Sequence, residues 1–581
     1  MKQILSLFIC SLLTVVFHTY YLQAQRTYPT DYFRPPVDFR ILLSGTFGEI
    51  RANHFHSGLD IKTGGAEGAK VYAVADGYVS RIKVSPYGFG KALYITHPNG
   101  YVSVCGHLKG YNKVIGDYVG AAQYQAENFE IELFPSPDEL PVKKGEVVAI
   151  SGNSGSSGGP HVHFEMRDEA TQKVINPLLF GYEVKDFFKP RITSVKIYPE
   201  DGNSKVNGSS KAVRYLAEGW GEGHRLAGNP AIRLSGNISF AIQAFDQQND
   251  TDNKNGPYGI ALCIDSLLVY EFRMETFAFD QTRYVNSLLD YEELVRNNVR
   301  LQRTCIDPGN KLDIYDEVKN RGVFKFSDSL THTIRYEVTD VPGNVAVLEF
   351  RVQSEKSLVG SRESGVNAEQ SSTFNYNASN HFENASVILD APKGVLYKSF
   401  EFRYDSARRV TGTYSSIHKV HNKYTPVHDY ITLAIRPQGL PERLRPKAML
   451  VKMNDEGGGF SSAGGAFEEP DGFVRAKIRE FGNYAVAVDT IPPKIRPVNA
   501  ESFKNLAGAT AVKFTISDEL SGIASYRGTL NGKWILMDYD AKNDLLIYTI
   551  DERLLAGQNA FELKVTDAKG NSATYKSGLT R

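Results

Sequence analysis

The chain has 581 residues, enough at roughly 150 residues per domain for about four domains with buried cores. Lys+Arg and Asp+Glu both total 66, so the formal net charge is zero and gives no electrostatic reason to expect nucleic acid or an anionic membrane surface as a partner. Hydrophobic content of 41% and charged content of 23% fit an ordinary globular chain, and 51 Gly with 32 Tyr and 32 Phe lean towards strands and tight turns.

Met1-Lys2 is a short basic start, and Ile4 to Phe17 is an almost unbroken apolar run, short for a bilayer span. Residues 1–24 therefore read as an export signal with Ala24 before the cleavage point, although Leu22 departs from the small-residue pattern. An uncleaved membrane anchor is one alternative; a lipid anchor on Cys10 is another, against which the bulky Phe8-Ile9 argues. The expected location is exported: periplasm, cell envelope or medium. No second long apolar run follows, so the remainder is expected to be soluble.

Residues 25–188 read as one compact, strand-rich unit without long helical periodicity. Val71 to Ala75 and Tyr78 to Val84 flank Asp76-Gly77, the pattern of a hairpin, and Ala92 to His97 and Tyr101 to Cys105 flank Pro98-Asn99-Gly100, a second one. Val147 to Ser151 is a short apolar strand, Gly152 to Pro160 a Gly/Ser loop, and His161 to Arg167 a further strand. Residues 189–353 predict a β-sandwich, with alternation at Ile238 to Ile242 and Thr333 to Val338 and a loop from Asp246 to Asn255. Residues 354–383 are polar and read as a linker, residues 384–488 as a further β domain, and residues 489–581, after Ile491-Pro492-Pro493, as a last β domain. Val338 to Asn344 is echoed by Val565 to Asn571, each ending a strand in Asp-x-x-Gly-Asn, which resembles the closing hairpin of bacterial immunoglobulin-like domains. Cys105, Cys263 and Cys305 lie beyond the signal; Cys263 and Cys305 are the better pair for a disulfide, with free buried thiols as the alternative.

Six of the thirteen histidines fall between residues 54 and 163. In a strand, His161, His163 and Glu165 share one face while Val162, Phe164 and Met166 share the other, which can pack into a core. His56-Ser57-Gly58-Leu59-Asp60 offers a histidine and a carboxylate that converge if a tight turn occurs at Gly58. Zinc accepts both donor types at about 2 Å, and three protein ligands leave a fourth position for a water whose pKa falls towards about 7. A closed structural site would need a fourth ligand, and Cys105 has no second cysteine at knuckle spacing. The helical His-Glu-x-x-His motif is absent.

His56-x-Gly-x-Asp60, Tyr78-Val79 after Ala75-Asp76-Gly77, Gly106-His107-Leu108, and Gly159-Pro160-His161-Val162-His163-Phe164-Glu165 follow one another in order. This resembles the lysostaphin/LytM-type zinc peptidases that cleave peptidoglycan, over about residues 44–180. The resemblance implies a small antiparallel β peptidase domain of duplicated hybrid motif type with a narrow groove; with the downstream units read from their strand spacing as immunoglobulin-like β-sandwich domains, the chain is expected to be mostly β. The resemblance also implies one zinc ion held by His56, Asp60 and His163, with His107 and His161 catalytic, and peptidoglycan stem peptides as substrate. One imidazole would take a proton from water and the other hold the developing oxyanion; which does which stays open.

Other residues complete the reading. His54 is an outer alternative as a ligand, His97 an exposed or structural histidine, and Glu165 a partner for a ligand imidazole. Cys105 stands where this family commonly has an aromatic residue. The segment from Tyr118 to Pro141, with Phe129, Ile131, Leu133 and Phe134, is longer than usual and is a candidate cap on the groove, and Asn53 is a candidate blocker of the fourth metal position. The leading expectation is a secreted zinc metalloendopeptidase cutting peptidoglycan cross-links, D-alanyl–diaminopimelate bonds in diderm walls. The alternatives are a non-catalytic scaffold that binds wall or activates other wall hydrolases, and a surface-assembly protein in which the C-terminal β domains contact cell-envelope partners.

Overall fold

The computed structural model describes residues 27–356, 372–454, 458–499, 506 and 508–580. The expected export signal, with Cys10, lies outside the described residues.

The chain is mostly β, as its Gly- and aromatic-rich composition implies. In the first domain the strands are β1 (Leu43–Gly45), β2 (Leu59–Lys62), β3 (Lys70–Tyr72), β4 (Gly77–Val84), β5 (Lys91–Thr96), β6 (Tyr101–Gly106) and β7 (Leu108–Tyr111). Helix α1 (Lys113–Ala126), β8 (Ile131–Leu133), β9 (Val147–Ser151) and β10 (His161–Asp168) follow. The main sheet runs β1-β2-β10-β6-β5-β4-β8, and β3-β9-β7 form a second, smaller sheet. The Pro98-Asn99-Gly100 hairpin forms, with β5 against β6 and Gly100 at φ +82°.

Two expectations are corrected here. The Asp76-Gly77 hairpin does not form: β3 pairs with β9 and β4 with β5, so the two runs lie in different sheets. The Asp76 carboxylate instead accepts the Lys144 backbone N–H at 2.8 Å, and Gly77 is needed because a Cβ there would lie 2.2 Å from Thr96 O. The domain also contains a helix, α1. Asn112 caps it by accepting from Ile115 N–H at 2.9 Å, and Glu127 ends it in the left-handed region at φ +44°. Its buried stripe is only Ile115, Val119 and Gln123, and glycines at 116 and 120 dilute the helical signal, which is why the periodicity is weak.

In the second domain one long strand, Arg233–Phe245, pairs antiparallel with Arg191–Pro199 and parallel with Val345–Ser354, so the layers of the sandwich join into one continuous sheet. The segment around the first domain's Phe47, Ile50 and Phe55 packs into the same core as Phe272 and Phe277 of this second domain. Strand pairing of Val174–Ile175 with Thr276–Phe277 continues the junction. The third domain is two five-stranded sheets with a two-stranded one of Ser372–Phe374 and Phe400–Phe402, and the fourth is two four-stranded sheets. Ser372–Phe374 and Asn380–Glu383 are strands inside the stretch expected as linker.

The fourth domain folds back onto the first. Tyr124 of α1 meets Trp534 edge-on at 5.1 Å and lies under Arg553 at 3.7 Å; Lys91 pairs with Asp538 at 2.5 Å and Glu127 with Arg527 at 2.6 Å. Cys105, Cys263 and Cys305 are free and buried, so the Cys263–Cys305 disulfide does not form; they sit on separate elements, Cys263 inside strand Gly259–Ile264 and Cys305 beyond Gln302–Arg303.

Candidate metal centre

The alternation of β10 does what its pattern predicts. Val162, Phe164 and Met166 are fully buried in the core, and His163 faces the opposite way, directly across from Asp60 on β2 and from Gly106 on β6. Gly58 works differently from the expected turn. Its φ is not left-handed; a Cβ there would lie 2.2 Å from Phe164 O, so glycine is needed for the His56–Asp60 segment to lie against β10. His107, just beyond β6, does adopt a left-handed φ of +58°, a strained conformation for a histidine.

Three ligand atoms converge. His56 Nε2 is 2.9 Å from Asp60 Oδ1, His163 Nδ1 is 3.0 Å from the same oxygen, and the two nitrogens are 3.1 Å apart. The remaining nitrogens are committed outward. His56 Nδ1 donates to Thr46 O at 2.8 Å and His163 Nε2 to Glu165 Oε1 at 3.0 Å. In the neutral tautomers those bonds select, the inner nitrogens carry lone pairs, so three acceptors face one another. That arrangement repels unless a cation or proton occupies its centre. Tetrahedral ligands at about 2.0–2.1 Å from a zinc ion stand about 3.3 Å apart, close to the separations here.

Two further imidazoles flank the cluster. His161 donates through Nδ1 to Gly159 O at 2.8 Å; its buried Nε2 lies 3.2 Å from Asp60 Oδ1 and has no hydrogen-bond partner. His107 donates through Nδ1 to Ser154 O at 2.8 Å, with its ring 4.8 Å from that of His161. The structure thus brings together all five residues singled out from the sequence.

Burial alone would raise the Asp60 carboxyl, but the imidazoles of His56, His161 and His163 hold it well below the usual range. Burial would lower His163, yet Asp60 and Glu165 on either side push it up to about 9. Glu165, also opposed by burial, is held down to about 2 by Arg167 and then His163. Burial, and then the charges of His163 and His161, lower His107 to about 3. Without a metal, the cluster resolves its repulsion by holding a proton on His163.

The surrounding residues sort the remaining expectations. Glu165 is a partner of His163, as expected, and itself accepts from Ser57 Oγ and from Arg167 Nε at 2.8 Å. His97 is buried and structural, bonded to Asp76 O and Ser103 Oγ. His54 is exposed, donates to Ala52 O, and stays outside the cluster. Asn53 does not block the centre: its Oδ1 accepts from Asn286 Nδ2 of the second domain at 2.9 Å. The segment 118–141 supplies the later turns of α1, buried Phe129 and edge strand β8, which pairs with β4; Tyr124 of the helix packs against Trp534 of the fourth domain. Three neighbours carried no sequence signal. Arg51 bonds Asp60 Oδ2 at 3.0 Å, Phe89 stacks on His163 at 4.8 Å, and Thr46 orients His56.

Residues 54–127 match the family model described as Peptidase family M23, and residues 371–489 match one described as Zu5-like domain. The chain is 29% identical over 165 residues to a protein of Haemophilus influenzae named "Uncharacterized metalloprotease", covering 27% of this chain and 29% of that one. It is 30% identical over 112 residues to the DD-carboxypeptidase/endopeptidase Mpg of Neisseria meningitidis, covering 19% and 20% respectively. The matches therefore span less than a third of these relatives' own length. The catalytic domain of lysostaphin from Staphylococcus simulans is similar at 21% identity, over 24% of this chain and 90% of that one, with a TM-score of 0.18. The chain carries a peptidase family M23 domain.

Proposed function

We propose that this chain is a zinc metalloendopeptidase that hydrolyses peptide cross-links of bacterial peptidoglycan. His56, Asp60 and His163 would hold one zinc ion, and His107 and His161 would be catalytic. The observation that carries the reading is the convergence of two imidazole lone pairs and a carboxylate oxygen within 3.1 Å, each backed by an outward partner. Zinc supplies Lewis acidity towards a peptide carbonyl and towards water. Glu165 fixes the tautomer of His163, and Thr46 O that of His56. His161 Nε2, buried without a hydrogen-bond partner, is free to accept a proton or, once protonated, to donate to an oxyanion. His107 stays neutral over the physiological range, and with Nδ1 donating to Ser154 O its Nε2 keeps a lone pair that can accept a hydrogen bond from water.

An open groove of about 620 Å³, lined by Arg81, Lys83, Phe89, Tyr94, Arg167 and, from the second domain, Phe279, meets the centre only through Phe89, whose ring stacks on His163; none of the five candidate residues lines it. Lys83, beside Arg81 and Arg167 that are already paired with Glu132 and Glu165, suits a carboxylate of a stem peptide. The name of the Neisseria relative, a DD-carboxypeptidase/endopeptidase, supports a bond between two D-configured centres, the class to which a D-alanyl–diaminopimelate cross-link belongs. That substrate lies outside the cytoplasmic membrane, so the reading includes export of the chain.

The test is mass-spectrometric identification of fragments released from defined cross-linked wall peptides by the zinc-loaded protein and by His163→Ala. Cleavage by the first and not by the second is expected. Protein that binds one zinc yet releases nothing, or a variant that digests equally well, overturns the proposal.

A further inference from the structure

A second cluster of candidate ligands lies at the junction of the first and second domains, apart from the five-residue centre. Asp186 precedes the first strand of the second domain, Asp246 follows strand Arg233–Phe245, and Asp340 ends strand Thr331–Thr339. All three are buried, and one carboxylate oxygen from each lies within 4.8 Å of the others. They line a cavity of about 20 Å³, room for one ion or water and nothing larger. None of the three forms an ion pair among the described residues.

The cavity also exposes unmet bonding capacity. Asp340 accepts Gly343 and Asn344 N–H, Asp186 accepts Phe188 N–H, and Asp246 Oδ2 accepts Gln248 Nε2–H at 3.0 Å. Asp246 Oδ1, however, has no partner, and Asp246 is 3% exposed. Thr46 Oγ1, contributed to the same cavity by the first domain, has none either, and Thr46 is 5% exposed. Two orphaned oxygens in so small a space each carry a desolvation cost unless something fills it.

We propose that this cavity is a calcium site, in which Asp186, Asp246, Asp340 and Thr46 Oγ1 are the protein oxygens. The donor set is all oxygen, which suits a hard cation rather than zinc, and calcium tolerates an irregular shell of six to eight oxygens. Without the ion, burial and mutual repulsion push the Asp186 carboxyl up to about 7 and that of Asp246 up to about 8. The site ties the second domain to the segment that presents His56, because the carbonyl of Thr46 accepts the Nδ1–H of His56. It stands independently of the peptidase reading.

The fourth domain supplies a contrast. Asp489, Asp518 and Asp567 cluster similarly, but each accepts backbone N–H groups, and the Lys569 ammonium, held by Ala448 O and Gly465 O, interacts electrostatically with Asp489 and Asp567. No buried orphan oxygen belongs to that cluster among the described residues, and no site is assigned there.

The test uses the full chain, chelated and then reloaded with zinc, titrated with calcium chloride and followed by calorimetry and thermal melting. One equivalent of calcium should bind, raising Tm by about 3 °C or more at ~5 mM. Asp246→Asn should abolish the shift while its calcium-free Tm is no lower than wild type, since a repelling charge is gone. Asp518→Asn should keep the shift. Should Asp246→Asn fail to fold, Thr46→Val should fold and bind calcium about tenfold more weakly. A wild-type Tm that rises on acidification but ignores calcium, or a shift retained in Asp246→Asn or undiminished in Thr46→Val, overturns the proposal.

Discussion

Glu165→Gln tests whether the outer partner of His163 sets the affinity of the metal centre. The carboxylate is fully buried and joins His163 Nε2 at 3.0 Å, Arg167 Nε at 2.8 Å and Ser57 Oγ. Its pKa, held at about 2 against an ordinary 4.5, corresponds to about 3 kcal/mol favouring the charged form. Because the folded value is depressed, that stability is present above the ordinary carboxyl range and is lost as pH falls towards 2. Glutamine removes the charge and leaves the buried Arg167 guanidinium without its anion, a loss of about 3–5 kcal/mol for a buried pair broken on one side. It also offers one acceptor oxygen where the carboxylate had two. Loss of such a partner typically weakens metal binding about 10–100-fold. Chelator competition should therefore show zinc affinity reduced by that factor, and circular dichroism a lower Tm with and without zinc. Zinc affinity within threefold of wild type, with an unchanged Tm, would refute the argument.

Four further outcomes follow from the same geometry. Zinc must displace the proton that His163 holds up to about 9, so apparent affinity should rise nearly tenfold per pH unit between about 6.5 and 8.5 in chelator competition; a flat profile contradicts the coupling. His107→Ala should keep one zinc equivalent yet lower kcat by about 10²–10⁴-fold on wall peptides, and loss of zinc instead would make it a ligand. Gly58→Ala, whose methyl would lie 2.2 Å from Phe164 O, should cost more than about 3 kcal/mol in urea unfolding, and a neutral result means β2 and β10 can separate freely. Tyr124→Ala, which loses both Trp534 and Arg553, should destabilise by about 2 kcal/mol in calorimetry and loosen the fourth domain to limited proteolysis; unchanged digestion argues against that docking.

The local order of chemistry was readable in one dimension. The strict alternation from His161 to Met166 specifies which side chains share a face, because strand geometry has a period of two. His-x-Gly-x-Asp and Gly-His-Leu, in order with it, named the five residues that the fold gathers. Short-range turn signals were less reliable: Pro98-Asn99-Gly100 made its hairpin, whereas Asp76-Gly77 did not, since pairing of β3 with β9 outweighed the turn preference. The helix α1 leaves little periodicity in the sequence because its buried stripe is three residues long.

What the sequence determined was which five residues are candidates for the centre, through the family resemblance, and which side chains of β10 share a face, through strand alternation. What the tertiary structure decided was everything that depends on distance between remote segments. Arg51 on Asp60, Phe89 on His163 and Phe279 at the groove each arise from chain paths that no local pattern encodes. The same holds for Thr46, which meets Asp186, Asp246 and Asp340 only because the two domains share a core. Hydrogen bonds and repulsion between carboxylates act over a few ångströms of space, and separation along the chain says nothing about which residues come that close.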